Sequence, residues 1–291
     1  MTQPSHPTAH DLFEVHPRTF ERQTYVYPVL SRRARGISIG VNLSPAKNCD
    51  FNCVYCQVDR SESGEFERID LGRLADELDA TVDQAASGRL FESARFNQTP
   101  PALRRLNDIA LSGDGEPTLS PDFEAAVEVC AEVRRRHALD EMKLVLITNA
   151  AGFHREPVRR ALAVLDRNHG EIWAKLDAGT EACYRRVNRS AVPFDRILAN
   201  LAEAASVRPI VIQTLFARLD GAPPSNEELA AYCGRLRQIV AAGGRIQGVQ
   251  VHTLARRPAE TWVAALSGNE LDAIGKRVRD ETGLVVEVFG E

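Results

Sequence analysis

The chain has 291 residues, 44% hydrophobic and 26% charged, with a formal net charge of −4. Its length supports a substantial core and its composition is that of an ordinary globular domain. The charge argues against a surface coated for nucleic acid, though a local basic patch is compatible with it. No apolar run reaches the length of a membrane span.

Residues 1–24 read as a flexible N-terminal extension, the first ten being rich in Pro, Ser, Thr and His. Tyr25-Val-Tyr27 and Arg32-Arg33 follow, forming either a lid or an added strand. Arg35–Leu43 alternates and predicts a first strand, which feeds Cys-Asp-Phe-Asn-Cys-Val-Tyr-Cys-Gln (49–57). Leu71–Ala86 has the apolar spacing of an amphipathic helix. Asp108–Ser112 is the second strand and runs into Gly-Asp-Gly-Glu-Pro-Thr (113–118). The helix after it should begin near Pro121, with Ser120 as N-cap. Lys143–Thr148, Glu171–Asp177, Pro209–Leu215 and Ile246–Thr253 supply strands three to six. A helix over Glu270–Glu281 then leads to a terminal strand, Leu284–Phe289. Strands alternating with helices signal parallel βα units. Six of them predict an α/β fold, a partial (βα)6 TIM-type barrel, with residues 25–291 as a single domain. In such barrels the site forms in the loops that follow the strands. Cys49, Glu116, Asn149, Asp177, Gln213 and His252 all fall at or near such strand ends.

Cys49, Cys53 and Cys56 are the sharpest chemical signal. The spacing C-x3-C-x2-C puts three thiolates on one loop, suited to one metal centre. Cysteine thiolates hold iron–sulfur clusters, and a four-iron cluster normally takes four of them; three leave one iron open. Zinc is the competing reading, but it prefers four closed ligands, and His16 and His154 are distant in sequence. Cys130, Cys183 and Cys233 lie in helical patterns and read as small buried hydrophobes rather than a second cluster or a disulfide framework. Free thiols and an oxygen-sensitive cluster point to the reducing cytoplasm.

The C-x3-C-x2-C spacing, with Tyr55 just before the last cysteine, resembles the cluster loop of the radical S-adenosylmethionine (SAM) superfamily. The resemblance implies a [4Fe-4S] cluster on Cys49, Cys53 and Cys56, with SAM chelated at the open iron. It also implies reductive cleavage of SAM to a 5′-deoxyadenosyl radical, driven by an electron from flavodoxin or ferredoxin. Gly113-Asp114-Gly115-Glu116-Pro117 resembles the family's Gly-Gly-Glu motif, which binds the SAM amino group. Glycine there permits close backbone approach. Asp114 stands where the first glycine usually sits, and a plain strand-to-helix turn is the alternative. Asn149 resembles a further SAM contact, although Asn is also a routine turn former. Lys175 and Asp177 are two apart on a strand and share a face. The resemblance gives Asp177 to the SAM ribose and Lys175 to substrate chemistry; an internal salt bridge is the alternative.

Gln213 either holds adenosine or substrate or satisfies the barrel rim. His252 stands where a glycyl-radical activase places a SAM contact, or is a satisfied core histidine. Arg185, Arg186 and Arg189, and Arg256 with Arg257, suit an anionic group or are solvated. From Gly36 to Gln57, with Gly113–Leu119 and the exit of strand six, the chain resembles the wyosine-synthase-like branch and, more loosely, the pyruvate formate-lyase activating enzymes. Wyosine synthases carry further N-terminal cysteines, and residues 1–48 contain none. The expected activity is hydrogen abstraction from a substrate the motifs do not name: a tRNA nucleotide, a partner protein that receives a glycyl radical, or a small molecule. A zinc-bearing, non-enzymatic binding protein is the reading from another class.

Overall fold

A computed structural model describes residues 18, 20–59, 64, 68–256, 258 and 260–290. Most of the expected extension over 1–24, and Arg257, lie outside these residues. The strands are β1 (Val26–Ser31), β2 (Gly36–Val41), β3 (Leu106–Leu111), β4 (Lys143–Thr148), β5 (Gly170–Lys175), β6 (Ile210–Leu215), β7 (Arg218–Leu219), β8 (Ile246–His252), β9 (Val263–Ala264) and β10 (Val286–Phe289). The helices are α1 (Leu71–Ala86), α2 (Phe123–Arg136), α3 (Glu156–Asp166), α4 (Glu181–Asn188), α5 (Phe194–Val207), α6 (Asn226–Ala241) and α7 (Gly268–Thr282). Eight strands join in the order β1-β2-β3-β4-β5-β6-β8-β10, and β7 pairs with β9 separately. The pairs β2–β3, β5–β6, β6–β8 and β8–β10 are parallel, whereas β1 is antiparallel to β2. This is the partial (βα)6 TIM-type barrel that the sequence predicts, with one strand added at each edge. Val26 and Tyr27 therefore enter a strand rather than a lid, with Tyr25 just before it.

The chain divides into two compact units. The first comprises Met1–Ala46, Glu65–Val145 and Arg160–Gly170; the second comprises Lys47–Gly64, Leu146–Arg159 and Glu171–Glu291. In the first unit, every residue of β2 is buried, which suits a strand covered on both faces. Tyr27 lies across Gly40, where a Cβ would come within 2.2 Å of the ring, and its hydroxyl donates to the Ser112 carbonyl at 3.1 Å. Helix α1 buries Leu74, Leu78, Val82 and Ala85, a stripe at helical spacing. Leu74 and Leu78 each contribute about 1.5–3 kcal/mol by leaving water. Asp70 caps that helix by accepting from the Arg73 amide at 3.0 Å. Helix α2 departs from expectation at its start. It begins at Phe123 with Asp122 at the cap and no side-chain cap bond. The Ser120 hydroxyl instead accepts from the Asp122 amide at 3.3 Å, so Ser120 shapes the turn before the helix.

In the second unit, the core centres on Tyr232, Leu201, Ile212, Val249 and Val251. The parallel register aligns polar side chains as well. Lys175 pairs with Gln213, and Gln213 with Gln250, so these three project from one face of β5, β6 and β8. The same unit contains the cysteine loop.

Candidate metal and cofactor site

The cysteine loop is held from behind by the residues between its thiols. Phe51, Val54 and Tyr55 are buried, while Cys49, Cys53 and Cys56 are half-buried. Phe51 packs edge-on against Tyr184 at 5.6 Å between ring centroids, and Tyr184 stacks on Phe194 at 4.9 Å. The amides of Asn52 and Val54 donate to the carbonyls of Asn188 and Val187, both at 2.9 Å. A helix leaves its last carbonyls without internal partners, so the C-terminal end of α4 offers acceptors that the loop fills. Ser190 adds a bond from its hydroxyl to the Asp50 carbonyl at 2.8 Å.

The sulfurs receive donors. The Phe51 amide points at Cys49 Sγ at 3.4 Å, with Asn149 Nδ2 at 3.8 Å from the same atom. Asn188 Nδ2 stands 3.4 Å from Cys53 Sγ. None of the six cysteines is in a disulfide. Among the described residues, no three His, Cys, Asp or Glu side chains converge on a point where one ion would sit.

Beneath the loop lies Asp177, whose side chain is fully buried. Its Oδ2 accepts from the Tyr55 hydroxyl and from Asn188 Nδ2 at 2.8 Å, and its Oδ1 accepts from the Leu215 amide at 3.0 Å. Lys175 Nζ is 3.9 Å from the same carboxylate and 4.6 Å from the centre of the Tyr55 ring. The internal salt bridge given above as the alternative reading of Lys175 and Asp177 is thus present, and it extends to Tyr55 in the cysteine motif. Burial alone would lower the Lys175 pKa, yet the charges of Asp177 and of Cys53, Cys56 and Cys49 raise it above the ordinary lysine value. Burial pushes the Cys53 thiol up, with Lys175 pulling the other way. Burial, then Asp177 and Cys53, drive the Tyr55 phenol well above its usual value. Cys53 thus stands between opposed influences, burial and Asp177 favouring the thiol, Lys175 and Asn188 the thiolate.

Asn149 follows β4 directly. Its Nδ2 donates to Asp50 Oδ1 at 2.6 Å and its Oδ1 accepts from the Ala151 amide at 3.0 Å. Gln213 is buried, and its Nε2 donates to Gln250 Oε1 at 2.8 Å. His252 ends β8, half-buried, in register with Leu215. Gln57 Nε2 reaches the Arg256 carbonyl at 3.3 Å, tying the end of the cysteine loop to the exit of β8. Arg185 and Arg186 of α4 and Arg189 just after it are engaged with acids: Arg185 with Glu181, Arg186 with Asp220, and Arg189 with Glu260. Arg186 and Arg189 also stand over the ring of Trp262, at 5.6 and 5.7 Å.

The Gly-Asp-Gly-Glu segment belongs to the first unit and is described there by itself. At Gly113 a Cβ would fall 2.2 Å from Asn42 Oδ1 and 2.9 Å from the Asn42 Cα, so only glycine fits. Asn42 Nδ2 donates to Asp114 Oδ2 at 2.7 Å, and Asn42 Oδ1 accepts from the Asp114 amide at 3.2 Å. Arg18 pairs with the other Asp114 oxygen at 3.2 Å. Gly115 lies half-buried in the bend that follows. Glu116 is buried and caps the next turn, its Oε1 accepting from the Thr118 amide at 3.1 Å and hydroxyl at 2.7 Å.

Three partners escaped the sequence reading. Asn188 bridges Asp177 and Cys53, Gln250 holds Gln213, and Asn42 locks Asp114. Asn at a helix end and Asn after a strand are too common to signal anything. Gln250, a polar residue facing Gln213 from a neighbouring apolar strand, was the one detectable from pattern alone.

Comparison with known proteins follows the same lines. A UPF0026 protein of Methanocaldococcus jannaschii is 28% identical over 60% of this chain and 47% of its own length. A UPF0026 protein of Helicobacter pylori (strain 26695) is 26% identical over 84% of this chain and 70% of its own. The chain thus spans about half the length of the Methanocaldococcus relative. Among solved structures, that of TYW1 with a lysine-pyruvate adduct bound shares the fold at a TM-score of 0.53 and 16% identity, over 85% of this chain and 74% of that one. Among the described residues, no helix is long and apolar enough to cross a membrane. The model of the Radical SAM superfamily matches residues 43–228, more than half of the chain and the whole cysteine loop. The chain therefore belongs to the radical SAM superfamily.

Proposed function

We propose that the cysteine loop holds a [4Fe-4S] cluster on Cys49, Cys53 and Cys56 and that the enzyme cleaves SAM reductively to start hydrogen abstraction from a substrate. The observation that carries this reading is the donor set. Three thiols stand on a loop braced from behind, with amide donors at the sulfurs and Lys175 facing them. Three cysteines within eight residues suit an iron–sulfur cluster, which takes cysteine thiolates as its ligands. When bound, the cluster supplies the electron that splits the sulfonium.

The chain's own part is positioning. Asn188 and the Phe51 amide donate to cysteine sulfur and favour the thiolate form. Lys175 offsets the negative charge gathered there. Asp177 enters this proposal as the anchor of Tyr55 and Lys175 rather than as the ribose contact, since both its oxygens are already engaged and its side chain has no exposed surface. Gly115 and Glu116 stay the candidates for the SAM ammonium, whereas Gly113 is packed against Asn42 and both Asp114 oxygens are taken by Asn42 and Arg18. Asn149, Gln213 and His252 stay candidates for contacting SAM or substrate, with His252 and Lys175 nearest to substrate chemistry. A cytoplasmic setting and a flavodoxin or ferredoxin as electron donor fit this chemistry. The substrate class is open between tRNA nucleotide, protein and small molecule.

The test is anaerobic reconstitution with iron and sulfide, reduction with dithionite, addition of SAM and detection of 5′-deoxyadenosine by mass spectrometry. Product that disappears in Cys53→Ala supports the proposal. A protein that takes up zinc alone and gives no four-iron absorption ends it.

A further inference from the structure

On β6, the Thr214 hydroxyl shares a hydrogen bond with the Tyr232 hydroxyl of α6, so Thr214 faces the helices. Gln213, its neighbour in the strand, therefore projects from the opposite face of the sheet. Register sets Lys175 on one side of it and Gln250 on the other. Two residues down the same face, Val211 pairs with Trp173 and with Gly248. Trp173 and Val211 are buried, and a Cβ on Gly248 would meet nothing nearer than the Val285 carbonyl at 3.7 Å. The polar row thus stands on an apolar floor with room at its β8 end. At its β5 end the Lys175 side chain keeps 24% of its surface exposed.

Gln213 and Gln250 are only 2% and 5% exposed, and a single bond joins them, Gln213 Nε2 donating to Gln250 Oε1 at 2.8 Å. It leaves Gln213 Oε1 and Gln250 Nε2 without a partner among the described residues. Turning both amides over exchanges the two residues' roles and leaves the same remainder, one carbonyl oxygen and one NH2 group. Buried amides left half-satisfied are costly, whereas two apolar side chains of the same shape would carry no such penalty. The remainder is one acceptor and one donor on strands about 4.8 Å apart. A planar amide with its C=O and N–H on one edge satisfies both at once. The strand-end level, where Asp177 and the cysteine loop lie, is two residues higher, about 6.6 Å along the strands. SAM held at a cluster on that loop belongs to the higher level, which leaves the glutamine row to the substrate.

We infer that the Gln213–Gln250 pair recognises the substrate, and that the group it recognises is a lactam or a primary carboxamide. The C=O of that group accepts from Gln250 Nε2, its N–H donates to Gln213 Oε1, and its body lies over Gly248 against Val211. Neither Tyr55 nor Asp177 takes part. The inference rests on the reading of this chain as a SAM-cleaving enzyme and deepens it by naming the group that is held.

The full-length protein, cluster-free and reconstituted, is titrated by calorimetry with 2-pyridone, which has the lactam edge, and with N-methyl-2-pyridone, which lacks the N–H. 2-Pyridone is expected to bind at least about tenfold tighter in both preparations. The double variant Gln213→Met, Gln250→Met keeps the shape and removes donor and acceptor together. It should abolish that preference and melt no lower than wild type, because two half-satisfied amides are gone. Gly248→Val fills the floor without touching the glutamines and should weaken both probes. Equal affinity for the two probes, no binding of either, or binding unchanged by Gly248→Val overturns the inference. So does a preference that survives in the double variant, or a double variant that melts below wild type, which would make the pair a structural tie. Displacement of 2-pyridone from reconstituted protein by S-adenosylhomocysteine would assign the pair to adenine and overturn it as well. Binding is read without turnover, so a 2-pyridone preference in protein that forms no 5′-deoxyadenosine would leave the amide site standing and remove only the reading of SAM cleavage.

Discussion

Asp177 is the residue on which the second unit's site is centred, and replacing it by Asn isolates its charge. Asp177→Asn keeps the size but puts an amide where an anion accepted three donors. One of the Tyr55 hydroxyl, the Asn188 amide and the Leu215 amide must then face an NH2 group. Losing a hydrogen bond to a charged group costs about 1.5–3 kcal/mol. Stranding one member of a buried ion pair reaches about 3–5 kcal/mol, reduced here because the Lys175 side chain is 24% exposed. Together these give about 3 kcal/mol, which at roughly 2–4 °C per kcal/mol lowers the melting midpoint by roughly 6–12 °C. The assay is anaerobic thermal denaturation of the cluster-free protein, followed by circular dichroism, for wild type, Asp177→Asn, Lys175→Met and the double variant. Removing the lysine as well removes the stranded charge, so the double variant should lose less than the two single losses added, by about 1–2 kcal/mol. Asp177→Asn melting within about a degree of wild type, or strictly additive losses, would show that Asp177 anchors neither Tyr55 nor Lys175.

Further expectations concern other parts of the chain. Gly113→Ala forces a Cβ onto Asn42 and should cost about 1–3 kcal/mol, while also loosening the Asn42–Asp114 lock; a urea midpoint equal to wild type would contradict the close approach. Burial pushes the Cys130 thiol up to about 12 from an ordinary 9.0. A group whose folded pKa is raised contributes fully below its unfolded pKa and loses that contribution as pH climbs toward the folded one. The stability advantage of wild type over Cys130→Ala should therefore shrink between pH 9 and 10.5, by about 2 kcal/mol at 1.36 kcal/mol per unit. Urea melts at pH 8 and 10.5 decide this, and an unchanged difference refutes it. Asn188→Ala removes a donor to Cys53 and a partner of Asp177, and should lower iron retention after gel filtration of the reconstituted protein; full retention would relieve Asn188 of that role.

What the sequence showed and what it hid separate along the range of the interactions. The six strands and α1 were legible because hydrophobic period is local, and the cysteine loop because its ligands lie within eight residues of one another. Helix starts were less secure: Ser120 and Asp122 are both good caps, and the choice depended on where Pro121 let the chain turn. The antiparallel β1 was ambiguous for a related reason, since its partner and the Tyr27–Gly40 fit exist only once β2 is in place. Asp177 was visible as a polar residue at a strand end, but not that Tyr55, 122 positions earlier, donates to it. Cys183 fell in a helical pattern as expected, yet it is half-buried at a cavity wall. Periodicity cannot distinguish a helix side that meets core from one that meets a void.

The bracing of the cysteine loop bears on how the proposed cluster would be lost and regained. Phe51 against Tyr184, the two amides on the end of α4 and Ser190 on Asp50 are all contacts between protein groups. Small zinc domains fold only when loaded, so that metal binding and folding are one event. With a cluster on Cys49, Cys53 and Cys56, none of these contacts would be spent when oxygen removed the iron, and damage of that kind would call for reloading rather than for resynthesis.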